Sequence, residues 1–116
     1  MSIILHITKR IHWDNAMKSG CYEAKSLHIK GFIHCSKPDQ IISVANSLFH
    51  GQTGLVLMCI DTDKVTPQIR YENCEDGNEL FPHIYGKLNL DAVIHICDFS
   101  PSSDGNFSLP KIPWAK

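Results

Sequence analysis

Three short apolar runs, IILHIT (3–8), GFIHCS (31–36) and FPHIYG (81–86), each carry a histidine. Runs of this length, rich in Ile and Phe, fold as strands. A histidine inside a strand costs desolvation unless its ring nitrogens find partners. One such residue is commonly a satisfied structural group. Three in one small chain predict a polar pocket built on a sheet.

The rest of the pattern places those runs. Residues 3–7 read as a buried strand. Thr8 is the expected N-cap of a short helix whose face holds Ile11, Ala16 and Met17, with Trp13 at its edge, and Ser19-Gly20 ends it. Residues 21–30 show no clean period, and SLHIKG (26–31) reads as a loop entering the next strand. Residues 31–35 form the second strand. Ser36 then reads as a helix cap, because S-K-P-D supplies a hydroxyl, an early proline and an acid. Ile41, Ile42, Ala45, Leu48 and Phe49 make one apolar helical face, closed by His50-Gly51. LVLMCI (55–60) is a strand ended by Asp61-Thr62-Asp63. QIRYE (68–72) alternates like a strand, and NCEDGN (73–78) is a turn. Pro82 confines FPHIYG to an edge, a bulge or a strand start. Residues 91–99 hold the last strand, followed by an irregular tail in which LPKIPW packs. The expectation is one α+β domain over residues 1–99 with a tail at 100–116. Its sheet is strongly bent, mixed or antiparallel, with two helices in the N-terminal half.

Composition excludes several classes. The 116 residues suit one domain, and 43% hydrophobic with 20% charged residues is ordinary for a soluble globular protein. No run approaches the roughly 18 apolar residues of a membrane span. In MSIILHITKR the basic pair follows the apolar stretch, unlike a signal peptide, so a cytoplasmic location is expected. The five cysteines contain no C-x-x-C pair, which argues against a disulfide framework or zinc ribbon. Cys35, Cys59 and Cys97 read as small core residues. With a formal charge of −1 and only Arg10 and Arg70 as guanidinium bearers, the chain lacks the basic face that long nucleic acid requires. A small nucleotide remains open as a partner; a protein partner is undefined. No metal is expected, since H-x-H, H-E-x-x-H and ligand-spaced carboxylates are missing. A site made of His6, His34 and His83 is the remaining metal alternative.

Strand parity sorts the polar residues. Ile4 and His6 share a face against Ile3, Leu5 and Ile7. Phe32 and His34 oppose Ile33 and Cys35. Phe81, His83 and Tyr85 share one parity, as do Arg70 and Glu72. If the strands are neighbours, His6, His34, Arg70, Glu72, His83 and Tyr85 converge. Each histidine also has a structural reading, FPHIYG could be a rigid corner, and Arg70-Glu72 an exposed charge pair. His12, His28 and His50 read as surface residues and His95 as packing.

The combination of LHIT, GFIHCS-x-P-x-Q, LVLMCID, RYE and FPHIYG resembles the DUF952 family of small, mostly bacterial proteins, over residues 3–98. That family is in turn distantly similar to the ADP-ribosyltransferase superfamily, nearest to the NAD-dependent tRNA 2′-phosphotransferases. Leu5-His6-Ile7-Thr8 echoes their YHGT motif and Ile33-His34-Cys35-Ser36 their VHLS motif. The resemblance implies an ADP-ribosyltransferase-like fold with NAD as cofactor or substrate. It gives His6 and Thr8 to the ribose or adenylate, and sets His34 beside the nicotinamide ribose or the attacking group. Glu72 is then the candidate for the superfamily's late glutamate. On this reading His34, Glu72 and His83 are catalytic, and His6, Thr8, Ser36, Arg70 and Tyr85 bind the ligand. The chain departs from the phosphotransferases in its few arginines, its length and FPHIYG. A non-catalytic module recognising a small ligand or a protein is the alternative function.

Overall fold

The structure, a computed structural model, describes residues 2–73 and 79–111. The chain runs β1 (Ile3–Lys9), α1 (Arg10–Ser19), β2 (Cys21–Tyr22), α2 (Lys25–Lys30), β3 (Ile33–His34), α3 (Ile41–Leu48), β4 (Leu55–Asp61), β5 (Gln68–Glu72), β6 (Phe81–Tyr85), β7 (Leu88–Asn89) and β8 (Val93–Phe99), with 3-10 turns at Thr62–Lys64 and Leu90–Ala92. It is an α+β domain whose strand pairs are all antiparallel. One sheet has the order β1-β4-β8, a second β3-β6-β5, and β2 pairs with β7.

β4 is buried along all seven residues because both faces of its sheet are covered. Alternation sends Ile4, Met58 and Ile60 to one side, against Ile33, Cys35 and Ile84 of the second sheet and Tyr22 and Leu88 of the small ribbon. Leu5, Ile7, Leu57 and Cys59 face the other side, under Ile41 and Ala45 of α3. The two sheets therefore stack on a shared core. A single antiparallel bridge, Leu5 to Ser36, joins β1 to the chain just after β3. The outer face of β3-β6-β5 is left for side chains of the opposite parity.

The tail is part of the second core. Phe107 is 5% exposed and stacks on Phe99 at 4.7 Å. Its backbone N–H donates to Asn46 Oδ1 at 2.7 Å. Asn46→Ala should cost about 1 kcal/mol by stranding that donor. Urea unfolding measures the loss, and faster amide exchange confined to Phe107 and its neighbours identifies its source.

Several expectations are corrected. Among the described residues there are three α-helices, not two: the stretch 21–30 contains β2 and α2. It showed no period because α2 is six residues long and none of them is fully buried. Thr8 does not cap α1. It continues β1, pairing with Val56, and the cap position falls on Lys9 without a side-chain bond. Gly20, with φ of 95°, ends α1 as read. Of the face assigned to α1 only Ala16 is buried; Ile11 and Met17 are 57% and 61% exposed. Trp13, three residues before Ala16, faces the core in their place. α3 begins at Ile41, later than a cap at Ser36 implies. Ser36 spends its backbone on Leu5, while Gln40 Oε1 accepts the Lys37 N–H at 2.9 Å.

FPHIYG is the central strand of its sheet, not an edge, and Pro82 is its second residue. Cys35 N–H donates to the Pro82 carbonyl at 3.0 Å, but proline has no N–H to return. The ladder stops there, and at the other end Gly31, with φ of 87°, closes α2, so β3 spans two residues where five were expected. Residues 74–78 of the expected turn and 112–114 of LPKIPW lie outside the described residues.

Candidate functional site

The outer face of β3-β6-β5 gathers one residue from each expected group. In register, Arg70 lies opposite His83, which lies opposite His34; Glu72 lies opposite Phe81, and Gln68 opposite Tyr85. Ile33, Ile69 and Ile84 take the other face and pack in the core. Alternation thus leaves aromatic and ionisable groups side by side on the outside.

Their geometry is specific. Phe32 stacks on His83 at 4.1 Å between centroids with 18° between planes. His34 meets Phe32 edge-on at 4.8 Å and His83 edge-on at 5.2 Å. Tyr85 tilts against Phe32 at 5.3 Å, and the Arg70 guanidinium carbon lies 4.7 Å above the Tyr85 ring. Glu72 is the polar centre. His83 Nδ1–H donates to Glu72 Oε1 at 3.0 Å, and the Tyr85 hydroxyl donates to the same oxygen. The Tyr85 hydroxyl, and after it His83, hold the Glu72 carboxyl below the usual carboxylate range. A carboxylate on Nδ1 fixes the His83 tautomer and places the lone pair on Nε2. His83 is 2% exposed under Phe32, whereas His34 and Arg70 are exposed. The Glu72 side chain is 31% exposed.

His6 stands elsewhere. It shares its face with Ile4, which is interior because the second sheet covers it. Its Nδ1–H donates to the His34 carbonyl at 2.5 Å, and its Nε2 accepts from the Tyr22 hydroxyl at 2.7 Å. Burial pushes its pKa down to about 4 and that of Tyr22 up to about 12. Thr8, also buried, lies 3.3 Å from His12 Nδ1. So the structure brings His34, Arg70, Glu72, His83 and Tyr85 together. It sets His6 and Thr8 behind the sheet, and Ser36 is 4% exposed beside them in the chain bridge to Leu5.

Phe32 joins the site though sequence reasoning did not name it for one; it carried a readable signal, since it shares the parity of His34. Tyr22, the partner of His6 behind the sheet, carried none, because it lies in the stretch without a period. Cys35 and Cys59 are core thiols, and burial raises both, Cys59 to about 12. His12, His28 and His50 are exposed, and His95 is half-buried opposite Cys59. Among the described residues no group of three or more His, Cys, Asp or Glu side chains is placed to hold a metal ion. Among them, no helix is long and apolar enough to cross a membrane.

The arrangement can stack a flat ring, hold an anion at Arg70, and offer a carboxylate oxygen to a hydroxyl. Comparison with known proteins bears on its lineage. No curated protein matches the chain. Among solved structures it is similar to protein CC0527 from Caulobacter crescentus. The crystal structure of that protein is 30% identical, with 93% of this chain and 95% of that one covered and a TM-score of 0.84. Its solution NMR structure is 31% identical, with 94% of each chain covered and a TM-score of 0.81. Residues 7–96 match the family model described as "Protein of unknown function (DUF952)", which spans β3, β5 and β6 entire, and the chain therefore belongs to the DUF952 family.

Proposed function

We propose that the outer face of β3-β6-β5 binds a nucleotide, with NAD or ADP-ribose as the class to test, and acts at its ribose. The observation that supports this is the placement of Glu72. Both of its hydrogen bonds, from Tyr85 and His83, land on Oε1. Oε2 is thereby aimed as the acceptor for a ligand hydroxyl, between an aromatic stack and a guanidinium. The base would lie on the exposed edges of His34 and Tyr85, and a phosphate would meet Arg70. The resemblance of Ile33-His34-Cys35-Ser36 to the ADP-ribosyltransferase VHLS motif supports the same class of ligand and an ADP-ribosyltransferase-like fold, whereas the resemblance of LHIT lends nothing to this face, because His6 and Thr8 are buried behind it.

On this reading the reaction is transfer or hydrolysis at the nicotinamide glycosidic bond. The C1′–N bond breaks and nicotinamide leaves with the bonding electrons. Glu72 stabilises the positive charge that develops on the ribose, and water or an acceptor hydroxyl adds to C1′. His34, the exposed imidazole, takes the proton of that nucleophile.

Titration of the histidine ring signals with NAD, ADP-ribose and AMP tests the proposal. Shifts at His34 and His83 are expected, with affinity weakened about tenfold in Glu72→Gln. An unchanged spectrum with all three ligands at millimolar concentration overturns it. A second reading, recognition without catalysis, draws on the burial of His83, which suits a group that holds Glu72 in place more than one that exchanges protons with solvent. His34→Ala separates the two. It abolishes turnover in an enzyme, and in a binder it changes affinity alone.

A further inference from the structure

The bridge between the two sheets ends where the site begins. Leu5 and Ser36 exchange both backbone hydrogen bonds, at 2.7 and 2.8 Å. In a continued antiparallel ladder the next acceptor is the carbonyl of His34, and its donor is the N–H of Ile7. The bridge is isolated, so that bond is not made. The carbonyl also points away from β6, because the Cys35 N–H to Pro82 bond makes His34 and His83 a pair without mutual backbone bonds. The acceptor is instead taken by the side chain of His6.

We propose that His6 is a positioning residue: it sets the place of the His34 imidazole on the outer face through the His34 carbonyl behind it. β3 has two residues, paired to β6 on one side, and the His34 carbonyl faces the other side, toward β1. A carbonyl held from β1 fixes the peptide plane after His34, and with it the direction of the His34 side chain against Phe32 and His83. His6 is itself oriented. The Tyr22 hydroxyl donates to Nε2, which forces the proton onto Nδ1. The role deepens the nucleotide reading and rests on it for its functional meaning, since His34 is the proposed proton acceptor.

Two substitutions separate the ends of the imidazole. In His6→Asn the amide N–H stands near the place of Nδ1–H and can still meet the carbonyl. In His6→Gln the amide reaches the place of Nε2, keeping Tyr22 and losing the carbonyl. Ring 1H–15N spectra of the ligand-free protein report the His34 environment, with His34→Ala assigning its signals. His34 shifts close to wild type in His6→Asn and displaced in His6→Gln are expected. AMP affinity should stay within about twofold in the first and fall about tenfold in the second. A residue that only fills the core would lower the melting temperature of both and leave His34 where it was; that result, or equal displacement in both, overturns the proposal. Should neither variant fold, Tyr22→Phe decides, since it keeps the ring and removes the donor to Nε2. An unmoved His34 signal there overturns the proposal as well. A wild type that fails to bind AMP while His34 responds as expected removes the nucleotide reading and leaves the positioning role standing.

Discussion

Phe32→Ala should destabilise the protein by about 3 kcal/mol, at the lower end for a buried phenylalanine because the site lies at a surface that can relax. For a domain of this size that is a fall of roughly 10 °C or more in melting temperature. The ring is 7% exposed and touches His34, His83 and Tyr85. Its loss removes dispersion contacts with three rings at once and brings water to His83. Water at His83 weakens the Nδ1–H bond to Glu72, since a hydrogen bond to an ion loses strength as its surroundings become polar. Stability and nucleotide affinity should therefore fall together in Phe32→Ala, and Phe32→Leu should keep most of the stability and less of the affinity. Thermal unfolding and an AMP titration on both variants check this. Equal affinity in Phe32→Leu and wild type would show that the aromatic face takes no part in binding.

Much of this face was legible in the strands. Alternation alone assigned Phe32 and His34 to one side of β3, and Ile33 and Cys35 to the other, as found. It also grouped His83 with Tyr85 and Arg70 with Glu72. Parity cannot say which face of a sheet another sheet will cover. Ile4 and His6 share a face that looked less apolar than that of Ile3, Leu5 and Ile7, yet it is interior because β3 and β6 pack over it. Tyr22 was hidden for a related reason. β2 pairs with β7 over two residues far apart in sequence, and so short a pair leaves no period in the chain. The single bridge that joins the sheets, Leu5 to Ser36, likewise has no local signal, because Ser36 also carries the features of a helix cap.

Acid should destabilise the protein through His6 before it does so through Glu72. His6 is 8% exposed, and its folded pKa lies near 4 against an unfolded value of about 6.5. Between those values the unfolded chain binds a proton that the folded chain refuses, so stability rises with pH across that window and is fully present above it. Lowering the pH from about 7 to about 4 should remove about 3 kcal/mol through this one group. Glu72 works in the same direction at lower pH, because its carboxyl is held below the usual range and its contribution is lost as that carboxyl is protonated. A comparison with His6→Asn isolates the histidine, since the variant keeps Glu72, Tyr85 and His83 and has nothing to titrate at position 6. Urea unfolding at several pH values should give a steep stability curve for wild type and a flatter one for the variant, the two approaching each other toward pH 4. Parallel curves would mean that His6 is protonated in the folded state. That would require the Tyr22 hydroxyl to turn and accept a proton from Nε2, giving up its role as the donor that places His6 against the His34 carbonyl.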